Sequence, residues 1–179
     1  MTSPTDKSPS KAGPGSANRA LVNPGNESRV FLVIVDDSEE MRVALHFACL
    51  RARHHGGRVA LLHVIEPTDS QAWIAVEDLM RIERREAAEA MLAELSREVV
   101  EWSGSSPLIY LREGDVRDEL LRLIEDEASI SVVVLGAGTG PEGPGPLVGL
   151  LAGKLSGRLR VPITVVPGAL TDRQLAALT

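Results

Sequence analysis

Five short apolar runs, separated by segments with helical periodicity, are the feature that most limits how this chain can fold. The runs lie at residues 30–35, 58–65, 107–111, 131–135 and 161–166. Four of them are nearly continuous in apolar residues, which is typical of strands buried on both faces of a parallel sheet. Hydrophobic residues make up 44% of the chain and aromatic residues only 3%. We therefore expect a core built from Val, Leu, Ile and Ala.

The segments between these runs carry helix signals. Ser38 can cap a helix whose first turn holds two glutamates, where negative charge favours the helix dipole. The glycines at 56 and 57 predict the end of that helix. A long charged segment at about 75–102 and a segment that starts after Asp115 predict two further helices. Regular alternation of strands and helices indicates a doubly wound α/β fold with helices on both faces of the sheet.

Two loops are expected to lie where such a fold binds ligands. Doubly wound sheets bind ligands beyond the carboxyl ends of the strands, where the winding direction reverses. The loop that starts at Asp36 follows the first strand, and the glycine-rich loop that starts at Gly136 follows the fourth. We expect these two loops to meet.

Charge and cysteine content exclude several classes of function. The formal net charge is −6, which disfavours binding to nucleic acid or to an anionic membrane surface. The single cysteine, Cys49, cannot form an internal disulfide, as expected of a cytoplasmic protein. No apolar stretch reaches the ~20 residues of a membrane helix.

The chain divides into three parts by composition. Residues 1–28 are rich in Pro, Ser and Gly and lack the apolar centre of a signal peptide, so we expect a disordered tail. Residues 29–170 contain all five apolar runs and are expected to form one domain. Residues 171–179 are expected to be a short C-terminal tail.

The glycine-rich loop permits two interpretations. Gly136, Gly138 and Gly140 leave backbone N–H groups free to point at an anion, as in a phosphate cradle. The prolines at 141, 144 and 146 each remove a donor. The residues alone do not decide between a loop that binds phosphate and a loop that has lost the donors to do so.

Glycines also recur every four residues at positions 145, 149, 153 and 157. On a helix they would form one smooth stripe. Because each glycine costs up to ~1 kcal/mol relative to alanine within a helix, a packing reason is expected. The stripe fits either close packing on the sheet or a helix contact across a dimer.

Four segments together resemble the universal stress protein family. They read "VIVDDSEEMRVALHFA", "GGRVALLHVIEP", "LREGDVRDELLRLIEDEASISVVVLGAG" and "VPITVVPG". They occur in the family's order and spacing, and the resemblance as a whole extends over nearly all of residues 29–168. The resemblance implies a flavodoxin-like, five-stranded parallel sheet with strand order 3-2-1-4-5. It also implies that Asp36 contacts the adenosine part of a nucleotide and that Val64 lines the adenine pocket.

ATP-binding members of the family carry a glycine signature, Gly-x2-Gly-x9-Gly-Ser/Thr, after strand four. Gly136 and Gly149 match its first and third glycines, whereas Thr139 and Leu150 replace the second glycine and the hydroxyl residue. If the turn uses positive φ at Thr139, it costs ~1 kcal/mol or more. A frame shifted to Gly140 starts four residues too late, and it ends on a lysine instead of a hydroxyl residue.

Two functions follow from the resemblance. The first is a non-catalytic stress-response protein with a degenerate nucleotide loop, dimeric through the final strand at 161–168, with no resident cofactor and no metal. The second is a regulatory protein that binds ATP or another nucleotide with slow or no hydrolysis. Ser38 and Asp36 are interpreted as helix-capping residues rather than as a nucleophile pair. Asp37 stands where the family commonly has glycine, and its charge would repel a triphosphate.

Overall fold

The computed structural model describes residues 29–67, 74–154 and 157–179; the tail expected at 1–28 lies outside the described residues. The strands are β1 (Val30–Ile34), β2 (Arg58–Ile65), β3 (Leu108–Glu113), β4 (Ile130–Ala137) and β5 (Ile163–Pro167). The helices are α1 (Glu39–His55), α2 (Ile74–Ser103), α3 (Val116–Asp126), α4 (Pro146–Gly149) and α5 (Asp172–Leu178). A π-helical turn, Leu150–Lys154, continues α4.

The five strands form one parallel sheet in the order β3-β2-β1-β4-β5. This confirms the predicted fold class and strand order. The central strand β1 pairs with β2 on one side and β4 on the other, so that Val33 lies opposite both Leu61 and Val134. The chain enters α1 after β1 and α4 after β4, which makes the gap between these two strands the topological switch point.

Apolar side chains cover both faces of the sheet. All five residues of β1 are buried: Leu32 belongs to a cluster with Leu120 and Leu123 of α3. Val33 belongs to the opposite cluster, with Leu45 of α1 and residues of α2 and α5. The continuous apolar run of β1 is therefore explained by a sheet with helices on each side. The edge strands β3 and β5 are only partly buried.

The predicted helix caps are confirmed. Ser38 Oγ accepts a hydrogen bond from Met41 N at 3.3 Å and caps α1. Gly56 ends α1 in the left-handed conformation at φ +65°, which glycine adopts without steric cost. Asp115 Oδ1 accepts from Asp118 N at 3.1 Å and caps α3.

Helix α2 consists of two different halves. From Ala88 onward it packs on the sheet through Leu92, Leu95 and Val99. Between residues 78 and 87 every side chain is exposed except the half-buried Arg84. The described part of the chain contains no helix with the length and apolar character needed to cross a bilayer.

Residues 171–179, expected as a tail, instead form helix α5 on the α1 side of the sheet. Leu175 is only 1% exposed and belongs to the same apolar cluster as α1. A capping box starts α5, in which Gln174 N donates to Thr171 Oγ1 and Thr171 N donates to Gln174 Oε1. His46 Nδ1 of α1 lies 3.2 Å from Asp172 Oδ1. The ordered domain thus extends beyond the expected boundary at residue 170, since Leu175 is buried in the core and Thr171 caps the helix.

Candidate functional site

The loops after β1 and β4 meet at the switch point, as predicted. Asp36 and Gly136 line the same cavity of about 150 Å³, between the start of α1 and the start of α4. A second, larger cavity of about 420 Å³ adjoins it. Asp36 and Pro146 line both cavities. The two cavities together form the candidate site at the carboxyl edge of the sheet.

The larger cavity brings Asp36 together with Val64, the residue expected in the adenine pocket. Its apolar lining includes Val35, Leu147 and Leu150. A cavity of this volume with an apolar lining is typical of a small-molecule site. Of the other candidates, Gly138, Thr139 and Gly149 line neither of the two cavities.

Gly136 is explained by close packing against α1. A Cβ at this position would lie 2.4 Å from the Glu40 carbonyl oxygen and 2.8 Å from Met41 N. Both are backbone atoms in the first turn of α1, so they cannot move aside as a flexible side chain would. The glycine is therefore required for helix–strand packing, whether or not a phosphate binds.

Glu40 lies beside the glycine-rich loop. A Cβ on Gly138 would be 3.1 Å from Glu40 Oε1, and a Cβ on Gly168 would be 2.7 Å from Glu40 Cβ. Glu40 and Asp36 both line the smaller cavity, and no Lys, Arg or His of the described chain lines it. Two carboxylates without a cation disfavour a phosphate group there, because like charges repel strongly near a low-dielectric protein surface.

From the sequence, Glu40 was predicted only to stabilise the first turn of α1 through the helix dipole. Its position over the loop depends on how closely α1 approaches the end of β4. That approach is a tertiary property, and the pairing of Gly136 and Gly138 after a strand was the only local signal of it.

The backbone of the loop differs from the expectation at Thr139. In the described chain no residue other than glycine has positive φ, so Thr139 carries no such strain. The left-handed positions fall instead on Gly143 at φ +88° and Gly145 at φ +94°. Gly143 N also donates to Gly140 O at 3.1 Å, which closes a turn within the loop.

Of the two explanations for the glycine spacing, close packing on the sheet is not supported, and a contact across a dimer stays a prediction. Helix α4 covers only Pro146–Gly149 before the π-helical turn begins, and Gly145 precedes the helix with positive φ. Apart from its chain neighbours and its own helix, no described atom lies within 4 Å of a Cβ built on Gly149, Gly153 or Gly157. Close packing on the sheet therefore does not explain these glycines. The four positions do not lie on one α-helix, because α4 begins at Pro146, after Gly145, and gives way to the π-helical turn after Gly149.

Ser38 and Asp36 form a capping arrangement, as predicted. Asp36 Oδ1 accepts hydrogen bonds from Ser38 N at 3.0 Å and from Ser38 Oγ at 2.5 Å. The same Oγ accepts from Met41 N. The hydroxyl is therefore occupied at the start of α1.

The rim of the larger cavity is acidic. Four carboxylates line it: Asp36, Asp37, Glu66 and Asp115. The one arginine in its described lining, Arg117, already lies 3.7 Å from Asp115 and 3.4 Å from Asp118. Asp37 thus lies at the site, as its position in the sequence implied, whereas Asp115 was identified only as a helix cap. Its position after β3 was the signal that it would reach the same edge.

His63 also lines the larger cavity. Its Nδ1 lies 3.1 Å from Val35 O, and because a carbonyl only accepts, Nδ1 carries the proton in this contact. In the neutral ring, Nε2 then remains an acceptor for a ligand donor. The sequence signal for His63 was its position one residue before Val64, at the end of β2. Within the described ranges, no group of three or more His, Cys, Asp or Glu side chains is arranged to hold a metal ion.

The family assignment rests on the length of the sequence match as well as on the fold. The sequence model of the universal stress protein family matches residues 27–167. The chain belongs to the universal stress protein family. No curated protein matches the sequence.

Solved universal stress proteins share the fold. The universal stress protein UspA from Lactobacillus plantarum is 21% identical with a TM-score of 0.60, over 77% of this chain and 97% of its own. A universal stress protein family member from Burkholderia pseudomallei is 21% identical with a TM-score of 0.61. The match covers 80% of this chain and 99% of the Burkholderia protein. A universal stress protein solved in complex with cAMP is 17% identical with a TM-score of 0.50. The match covers 77% of this chain and 96% of that protein. At these identities the likeness concerns the fold.

Proposed function

We propose that this universal stress protein is a non-catalytic dimer whose glycine-rich loop does not hold a nucleoside triphosphate. The observation that carries the proposal is the position of Glu40, whose carboxylate lies beside Gly138 and lines the smaller cavity together with Asp36. A phosphate placed there would meet two negative charges.

The replacement of the family's hydroxyl residue by Leu150 supports the same proposal. Its side chain packs with the apolar cluster on the α3 side and lines the larger cavity. A lost hydrogen bond to a charged group weakens binding by about 1.5–3 kcal/mol. The occupied hydroxyl of Ser38 supports a site without a nucleophile.

Thermal unfolding with and without Mg²⁺-ATP tests this function. We expect no rise in the melting temperature at millimolar ATP, because a ligand that does not bind the native state does not stabilise it. The Glu40→Gln variant, which removes one of the two charges, should respond to ATP at least as well as the natural protein. A clear rise in the melting temperature of the natural protein, abolished by Gly138→Glu, would contradict the proposal.

Dimerisation is proposed through β5. This strand lies at an open edge of the sheet with Val165 38% exposed, and proteins tend to cover such edges. Sedimentation at tens of micromolar should give the mass of two chains. A monomer at every concentration would remove this part of the proposal.

A second candidate function, binding of a nucleotide with slow or no hydrolysis, is favoured by the larger cavity. Its apolar lining with Val64 and the acceptor nitrogen of His63 suit an adenine ring. The neighbour solved with cAMP supports the same ligand class. If adenosine or cAMP raises the melting temperature whereas ATP does not, the base pocket is functional and only the triphosphate position has been lost.

A further inference from the structure

The sheet edge opposite β5 carries an apolar groove. Strand β3 forms this edge, and the C-terminal half of α2 lies beside it. The groove has a volume of about 470 Å³. Val100 on α2 is 46% exposed and Ile109 on β3 is 51% exposed, and both line it. Two large apolar side chains are thus half in solvent at an edge whose backbone has no neighbouring strand.

The first half of this edge is not protected by charge. Residues 105–111 contain no charged side chain, whereas natural edge strands usually carry charges that prevent pairing with another chain. The charges of β3 come later, at Arg112 and Glu113, and both are engaged within the molecule. Arg112 lies 3.4 Å from Glu119, and Glu113 lies 3.4 Å from Arg85.

Two opposite charges flank the apolar centre of the groove. Arg97 and Glu101 line it, are exposed and lie one helical turn apart on α2. Neither forms an ion pair within the described residues, although Arg85 and Glu89 pair at 3.1 Å with the same spacing. A twofold axis between Arg97 and Glu101 would place each opposite the other residue of a second copy. The surface is therefore self-complementary in charge as well as apolar at its centre.

We propose that the β3-edge surface, defined by Arg97, Val100, Glu101 and Ile109, binds a second copy of this chain about a twofold axis. The two β3 strands then lie antiparallel at the axis. Val100 and Ile109 are buried, and Arg97 of each copy pairs with Glu101 of the other. This interface is independent of the one proposed at β5. A chain that uses both edges assembles beyond the dimer as its concentration rises.

Complementary charge reversals test the interface. In a Val165→Lys background, which blocks the β5 edge, Arg97→Glu and Glu101→Arg each place like charges in both cross-interface pairs. Each variant alone should associate about tenfold more weakly than the background. An equimolar mixture of the two variants restores both pairs in a heterodimer, and the double variant restores them in a homodimer. Sedimentation equilibrium measures these four samples and the Val165→Lys background, and circular dichroism checks that each is folded.

The matched control reverses a charge outside the groove on the same helix. Glu86→Arg, at an exposed position, should leave association unchanged. If the Val165→Lys protein remains monomeric up to millimolar concentration, the proposal is overturned. It is equally overturned if the charge reversals leave association unchanged or if the mixture associates no better than its components. Each of these results is separate from the β5 test, which compares the natural protein with Val165→Lys alone.

Discussion

At the switch point, the packing of α1 against β4 is enough to explain individual residues that could also be read as parts of a ligand site. Gly136 admits the first turn of α1, and Glu40 from that turn lies over the loop where a phosphate would bind. The same glycine that suggests a nucleotide loop in the sequence therefore has a sufficient structural reason to be there. The side chains around it, rather than the glycine, decide which ligand is accepted.

Gly136→Ala should destabilise the protein strongly. The added methyl group would meet backbone atoms of Glu40 and Met41, and overpacking of this kind costs about 1–3 kcal/mol. The matched control is Gly140→Ala, where no described atom lies within 4 Å of the new Cβ and φ is not positive. That variant should change the free energy of unfolding by less than about 1 kcal/mol. Urea denaturation of both variants measures the difference, and equal effects would contradict the packing argument.

The stability of the protein should depend on Cys49 at high pH. Burial, assisted by the negative charge of Glu98, raises the pKa of the Cys49 thiol from 9.0 to about 12. The unfolded thiol loses its proton near pH 9 whereas the native thiol keeps it. The stabilisation is therefore complete below pH 9 and is lost as pH rises towards 12.

Chemical denaturation at several pH values between 9 and 12 checks this prediction. The free energy of unfolding should fall less steeply with pH in Cys49→Ala than in the natural protein, because the variant has no thiol to titrate. The comparison of slopes removes the contributions of tyrosine and lysine. Identical slopes would show that the thiol ionises equally easily in both states.

At the scale of elements, the short helix α5 shows how little is needed to dock a chain end. Its capping box satisfies the first backbone groups, and Leu175 enters the cluster shared with α1. The π-helical turn after α4 is docked by the same means, since Leu151 is 0% exposed and belongs to the apolar cluster on the α3 side.

Leu175→Ala should cost about 2–5 kcal/mol, as expected for a buried leucine, because its side chain is 1% exposed. Leu178→Ala, on the same helix but 58% exposed, should change stability by less than about 0.5 kcal/mol. Thermal or urea unfolding separates the two. A Leu175→Ala protein as stable as the natural one would mean that α5 contributes nothing to the domain.

The elements were predictable because their signals are local. Apolar runs marked the strands, and Ser38, Gly56 and Asp115 marked the helix ends where the structure has them. Asp36 and Val64 were placed at the site by their positions after strands. Glu40 was not, because its role depends on the distance between two elements. The glycine spacing was misleading for a different reason, because α4 ends at Gly149 and the four glycines do not lie on one α-helix.

At the scale of the whole molecule, the sheet has two open edges and the candidate site at its carboxyl edge. Strands β5 and β3 form the two edges of the sheet. The cavities lie at the carboxyl ends of the strands between these edges. Association through either edge would therefore leave the candidate site accessible. Self-association and ligand binding are expected to be independent of one another to a first approximation.

Val165→Lys should convert the dimer proposed at β5 into monomers at low micromolar concentration. The new ammonium group would place like charges close to the twofold axis, where cross-strand pairs of equal charge are unfavourable. Ile82→Lys, at a comparably exposed apolar residue of α2 (54% exposed), is the control and should keep the mass of two chains. Light scattering after size exclusion distinguishes the outcomes, and a Val165→Lys protein that dimerises as tightly as the natural protein would exclude the β5 edge.

The two halves of α2 imply one helix with two local stabilities. Its second half is held by Leu92, Leu95 and Val99, whereas side chains 78–87 face solvent apart from Arg84. The first half meets the rest of the domain through polar contacts, such as Arg84 with Glu66 O at 3.0 Å and Arg85 with Glu113 at 3.4 Å. Helical segments with few buried apolar contacts open at a lower free-energy cost than those packed in the core. Backbone amides at 78–87 should therefore exchange with deuterium orders of magnitude faster than those at 92–99, and a protease that attacks this helix should cut its first half. Uniform exchange along α2 would mean that the first half is covered in solution.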